Sequence, residues 1–242
     1  MKEYCVQESE LEAKTISFLG VEPYDFILYL ARFLSNLEKR VLVIDISDRA
    51  ALTDCLYDTS EAQVAIIEPC ILNLKGIDFI PKLEEWTYRG DFYNQFLYHT
   101  NCDYDYILID YGLNIAHTAI SKSTLVILIS DMQKHNINSI RPIMEQFDLP
   151  KALIIKDIVP SKIKAKDLLS DSMKGIPNMI FYLDLDVNDL SNKIQMQHTR
   201  SINLRKCSKR MKNLLCGVVS LIEKDRTKKE VFEALSVTWR GK

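Results

Sequence analysis

Seven glycines and seven prolines in 242 residues leave little room for a flexible linker, and the chain has no repeat and no low-complexity tract. No apolar run approaches the roughly 18 residues that a membrane-spanning helix needs. The opening MKEYCVQESELEAK is polar and acidic, which excludes a signal peptide or a transit peptide. Six cysteines are scattered without a C-x-x-C pair, so they read as reduced, buried thiols rather than a metal or disulfide framework. The four histidines, His99, His117, His135 and His198, show no metal-ligand spacing. One absence is local: no lysine occurs between Lys14 and Lys39, and residues 20–25 contain no Lys, Ser or Thr.

What is present is the composition of a globular chain, 47% apolar and 26% charged. This length suits a single α/β domain over residues 1–242, with 1–13 as a polar N-terminal extension and 225–242 as a C-terminal tail. The net charge of −2 conceals a dipole. Residues 1–150 hold 12 Lys+Arg against 23 Asp+Glu (net −11), and residues 151–242 hold 19 against 10 (net +9). Such a chain can offer one acidic and one basic face.

Strand-like apolar runs alternate with helical patterns. Strands are expected at Thr15–Leu19, Val41–Ile46, Val64–Ile67, Gly76–Pro81, Tyr104–Asp110, Ser123–Ser130, Lys151–Ile155 and Met179–Leu183. Helices are expected near Asp25–Leu37, within Ser47–Asp58, over 82–98, near Ile115–Ser121, over Asn136–Phe147 and Lys164–Ser172, and from Asp189 to Lys224 with a break near 198. Continuous apolar strands separated by helices predict an α/β fold: a mostly parallel, doubly wound sheet with helices on both faces. Phe26, Leu30, Phe33, Leu34 and Leu37 follow helical spacing and are expected to dock on the sheet.

The stretch from Lys14 to Asp48 has the layout of a nucleotide-binding βαβ unit. A phosphate-binding turn would read G-x-x-x-x-G-K-[ST]: backbone N–H groups cradle the phosphates, the Lys bridges β/γ oxygens and the hydroxyl holds Mg²⁺. Here it reads Gly20-Val21-Glu22-Pro23-Tyr24-Asp25, with two carboxylates where triphosphate oxygens would sit. Tyr24 is placed to plug the vacated phosphate pocket. Asp45 and Asp110, each ending an apolar strand, serve as helix caps or loop anchors on this reading.

In order and spacing, KTISFLG, LYLARFL, KRVLVIDISDRAALTD, YDYILIDYG and SKSTLVILISD resemble the MinD/ParA class of P-loop ATPases over nearly the whole chain. The third is similar to that family's GKRVLLIDxDPQxxLT segment and the fourth to its YDxIIIDxPP strand. The resemblance assigns the degenerate nucleotide site to Gly20, Val21, Glu22, Pro23, Tyr24, Asp25, Asp45 and Asp110. It assigns no catalytic residue and no metal ligand. Lys156 stands where the family offers an adenine-binding Asn. Without positioned cations the γ-phosphate charge goes uncompensated, so the chain reads as a pseudo-ATPase. It needs no cofactor on this reading; ATP or ADP bound without turnover is the open alternative.

The resemblance further implies a cytoplasmic homodimer, some of it at the inner face of the membrane, similar to TadZ/CpaE-type localisation proteins. Its partners would be proteins of a membrane-associated assembly of the pilus or secretion type. A second reading is non-specific DNA binding through Arg200, Arg205, Lys206, Lys209, Arg210 and Lys212, for which a solvated helix face is the plainer account. A third is peripheral membrane contact through Phe232, Leu235 and Trp239 in the tail, against an ordinary docked helix. The aromatic segment EEWTYRGDFYNQF is a candidate interface patch.

Overall fold

A computed structural model describes residues 13–56, 71–74, 76–82, 104–113, 118–146, 148–169, 177, 179–223 and 226–240. Eight strands form one sheet: β1 (Lys14–Gly20), β2 (Val41–Asp45), β3 (Leu72–Asn73), β4 (Asp78–Ile80), β5 (Tyr106–Gly112), β6 (Leu125–Ser130), β7 (Lys151–Ile158) and β8 (Met179–Asp184). Their order is β3-β4-β2-β5-β1-β6-β7-β8, parallel throughout except for β3, which runs antiparallel along β4 at the edge.

The central strands are apolar on both faces because helices cover both. On one face Ile16, Phe18, Val43, Leu108 and Ile127 pack beneath α1 (Tyr24–Asn36), with α2 (Ala51–Leu56), α4 (Val187–Thr199), α5 (Lys209–Ile222) and α6 (Lys228–Arg240) around it. On the other, Leu42, Ile44, Ile109, Val126 and Leu153 meet α3 (Lys134–Gln146) through Ile137, Ile140, Ile143 and Met144. The expected doubly wound α/β sheet is therefore present.

Helix α1 is more enclosed than a one-sided stripe predicts. Every residue from Tyr24 to Leu34 except Arg32 is buried, because α4, α5 and α6 close over the face turned from the sheet. A helix covered on all sides is interior.

Other departures have local causes. Strand β3 is two residues long, too short for any periodicity. In the described part of the helix expected near 115–121 there is a 3₁₀ turn at Thr118–Lys122, and in that of the helix expected from Lys164 to Ser172 a 3₁₀ turn at Ala165–Asp167; residues 115–117 and 170–172 lie outside the described residues. Between α4 and α5 the break falls at Arg200, in the left-handed region at φ +51°. Asp186 and Ser208 then cap α4 and α5, accepting from the N–H groups of Asn188 and Met211. The strand expected at Val64–Ile67 and the EEWTYRGDFYNQF patch lie outside the described residues, as does the helix over 82–98 beyond Lys82.

Candidate functional site

Strands β1, β2 and β5 bring Gly20, Asp45 and Asp110 to one end of the sheet, with Asp45 opposite Asp110 in register. Gly20 takes φ +129°, and the N–H of Val21 donates to the carbonyl of Ile129 at 2.9 Å. The turn Val21–Pro23 then leads into α1, with Glu22 in the left-handed region at φ +45°. That conformation is unfavourable for a residue with a Cβ, and side-chain contacts hold it.

Those contacts are ionic. Lys193 of α4 meets Glu22 Oε2 at 2.9 Å, and Arg49 meets Oε1 at 3.3 Å. Lys156 of β7 donates to the Glu22 carbonyl at 2.7 Å and pairs with Asp25 Oδ1 at 3.4 Å. The hydrogen bond from Lys193 holds the Glu22 carboxyl below the usual range, against its partial burial. Burial opposes the charge on Lys193, yet Asp25 and Glu22 keep its pKa above that of an ordinary lysine. The acids of the turn are thus matched by cations from α4, β7 and the β2–α2 loop.

The Lys156–Asp25 pair is almost wholly buried, its side chains 6% and 10% exposed. Removing one partner strands a buried charge. Lys156→Met should cost about 3 kcal/mol in urea unfolding, and the double variant Lys156→Met/Asp25→Leu should recover much of that loss.

Asp45 lies fully buried beneath the site. Its Oδ1 accepts from the N–H and hydroxyl of Ser47 at 3.0 and 2.7 Å, and its Oδ2 from the N–H and hydroxyl of Thr53, both at 2.9 Å. Asp110, 1% exposed, accepts from the N–H of Gly112 at 2.8 Å. Burial, reinforced by Asp45, pushes the Asp110 carboxyl well above its usual range. An acid whose pKa is raised by folding stabilises the fold fully only below its unfolded pKa, and that contribution is lost as pH rises towards its folded value. Asp110→Asn should therefore raise the melting temperature at neutral pH, and its advantage over wild type should shrink as pH falls towards 4, the ordinary carboxylate range.

Between the turn, residues 47–51, Asp110–Leu113 and Asn136 lies a cavity of about 110 Å³. That is below the roughly 300–1,000 Å³ typical of small-molecule sites. Its charged lining is Glu22, Asp48 and Asp110 against Arg49, which Glu22 already engages. Of the eight residues expected at the site, Gly20, Val21, Glu22, Pro23 and Asp110 meet at this cavity. Asp45 is sealed below it, and Asp25 turns away to Lys156.

Tyr24 does not plug the pocket. It is buried against α4, accepts from Gln197 Nε2 at 2.8 Å, and has Lys193 Nζ 4.9 Å from its ring centroid. Burial there lifts its hydroxyl above the ordinary tyrosine pKa. Arg49, Asn136 and Lys193 were not legible as site residues. Lys156 had one signal, its place at the family's adenine position.

The basic segment forms the α4–α5 corner. Lys206 Nζ donates to Gln195 Oε1 at 2.8 Å, Lys212 Nζ to the Arg205 carbonyl at 3.0 Å, and Arg210 pairs with Asp184. Arg200, Arg205 and Lys209 are exposed. In the tail, Leu235 is corrected as a membrane contact: with Val231 it is buried in the core, because α6 docks on α5 and α1. Phe232 is 44% exposed, and the side chain of Trp239 lies outside the described residues. No described helix is long and apolar enough to cross a membrane.

No protein-family model matches the sequence, and no curated protein is significantly similar to it. Solved structures are. A ParA family ATPase from Chlorobium tepidum superposes with a TM-score of 0.63 at 13% identity, over 87% of this chain and 99% of its own. A putative plasmid partition protein from Borrelia burgdorferi, bound to AMPPNP, gives 0.63 at 18%, over 89% and 100%. The MinD cell division protein of Aquifex aeolicus gives 0.53 at 15%, over 95% and 98%. With a parallel sheet of this order and Gly20, Asp45 and Asp110 at one end of it, the chain has the fold of the ParA/MinD ATPases.

Proposed function

We propose that this chain is a non-hydrolysing scaffold of ParA/MinD type, a homodimeric localisation factor for a membrane-associated assembly such as a pilus or secretion machine. One observation carries the reading: among the described residues, the cations that reach the phosphate turn, Lys156, Lys193 and Arg49, are already paired with Glu22 and Asp25. Transfer of a γ-phosphoryl group needs positioned positive charge. A triphosphate entering here would meet the Glu22 carboxylate and would have to break ion pairs that are partly buried. A fold kept without the chemistry leaves the surface as the functional part.

The test is Mg²⁺-ATP turnover by the full chain, alongside light scattering with and without nucleotide. The scaffold reading expects no turnover above the buffer blank and one molecular mass in both conditions. Turnover abolished by Asp110→Ala would overturn it.

The second reading, a nucleotide-binding switch that holds DNA through its basic C-terminal part, draws support from the exposure of Arg200, Arg205 and Lys209 on one corner. It expects duplex binding that falls steeply with salt and weakens in Arg205→Ala/Lys209→Ala.

A further inference from the structure

Helix α4 is built inside out. Its inward face carries Asp189, Asn192, Lys193 and Met196, of which only Met196 is apolar. Asn192 donates to the Tyr29 hydroxyl at 2.6 Å, Lys193 pairs with Glu22, and Asp189 accepts from the Ser208 N–H at 2.7 Å. The outward face carries Val187, Leu190 and Ile194, at positions i, i+3 and i+7, exposed to 77%, 43% and 49%. A surface helix ordinarily turns such a stripe to the core, and a contiguous exposed one marks a contact surface. The stripe extends beyond the helix. Leu185, also exposed, donates its N–H to the Ile158 carbonyl at 2.9 Å and so adjoins Val159 and the loop after β7, where Ile163 is 61% exposed.

Positive charge stands at both ends. Lys162, Lys164 and Lys166 are exposed around Ile163, and their ammonium groups make no ion pair among the described residues. At the far end Lys206, held on Gln195, stands beside Ile194, with Arg200 and Arg205 exposed nearby. Of the local acids among the described residues, Asp184 is paired with Arg210, while Asp157, Asp167 and Asp186, which keeps its charge as it caps α4, are the opposing charges.

We propose that this face lies on an anionic membrane surface. Val187, Leu190, Ile194 and Ile163 enter the boundary between headgroups and acyl chains, while Lys162, Lys164, Lys166 and Lys206 meet the lipid charge. Side chains protruding from a convex helix and a loop tip suit a fluid interface, and the basic flanks set its sign. The contact is independent of α6, whose Val231 and Leu235 are buried. It rests on the scaffold reading for its purpose, holding a localisation factor at a membrane without a nucleotide switch, but its chemistry requires neither ATP nor turnover.

Flotation of the full chain, without nucleotide, tests it on vesicles of phosphatidylcholine alone or mixed with phosphatidylglycerol. Wild type should float with the anionic vesicles, less so as salt rises, and stay behind with the neutral ones. Val187→Ser/Leu190→Ser/Ile194→Ser and Lys162→Glu/Lys164→Glu should each lower the partition about tenfold or more, while the control Lys122→Glu/Lys134→Glu should not. Ile163→Ser, a single exposed change, gives a smaller loss and covers a triple variant that fails to fold. No flotation of wild type, or flotation indifferent to these changes, overturns the proposal. A fall in solution mass of the triple variant with flotation unchanged also overturns it and assigns the face to a second copy of the chain. Measured ATP turnover would remove the scaffold reading yet leave the flotation result standing, so the two fail separately.

Discussion

Gly20→Ala is expected to destabilise the protein by about 4 kcal/mol or more, enough to leave much of it unfolded at physiological temperature. Two costs add. The backbone sits at φ +129°, a conformation that residues with a Cβ rarely adopt, and the added Cβ would lie 1.8 Å from the carbonyl oxygen of Ile129. That oxygen belongs to β6, neighbour of β1, and accepts from Val21, so neither strand can retreat without loosening the centre of the sheet. Gly112→Ala is the control: φ there is +56° and the nearest atom, Ser47 Cβ, is at 3.1 Å, so about 1–2 kcal/mol is expected. Urea unfolding followed by circular dichroism separates them. A glycine kept only for phosphate approach would be nearly neutral to replace, and a Gly20→Ala variant within about 1 kcal/mol of wild type would contradict this structural account.

Asp45→Ala should cost about 4 kcal/mol by the same measurement, because one carboxylate satisfies four donors in a site closed to water. Its removal leaves the N–H groups of Ser47 and Thr53 buried without an acceptor. The damage would spread, since Thr53 Oγ1 also accepts from the Lys82 N–H at 2.8 Å and the Ser47 carbonyl from Lys82 Nζ at 2.5 Å. Asp45→Asn should lose about half as much: the amide oxygen still accepts, but the NH₂ group faces two donors. If Asp45→Asn matches wild type, the residue is not a loop anchor, and its place beside Asp110 would then favour a ligand-binding role.

The central strands were legible because a strand buried on both faces reads as an unbroken apolar run, as in Leu125–Ser130 and Tyr106–Asp110. The turn's lack of Lys, Ser and Thr was legible too, since it is a matter of residue types. The cations around it were not. Lys156 and Lys193 lie 131 and 171 residues from their carboxylates, and no local pattern predicts which lysine a fold will bring back. The tail left a docked helix and a membrane contact both open for the opposite reason. Val231 and Leu235 have the spacing of an interfacial helix, but the same spacing serves to dock on α1 and α5, and tertiary contact decided. Helix α4 was legible as a helix but its orientation was not, because its exposed stripe and its polar inner face look, in sequence, like a helix turned the other way round.

The proposed scaffold reading has a simple physical form. The turn after β1 carries its own anions, Glu22 and Asp25, and these occupy Lys156, Lys193 and Arg49, the cations that the phosphates of a nucleotide would otherwise engage. Titration calorimetry of Mg²⁺-ATP into the purified full chain addresses this most directly. The ion-paired turn predicts no saturable heat, with any dissociation constant at about 1 mM or weaker. A one-to-one isotherm with a dissociation constant of about 10 μM or tighter, lost when Asp110 is replaced by Ala, would contradict it.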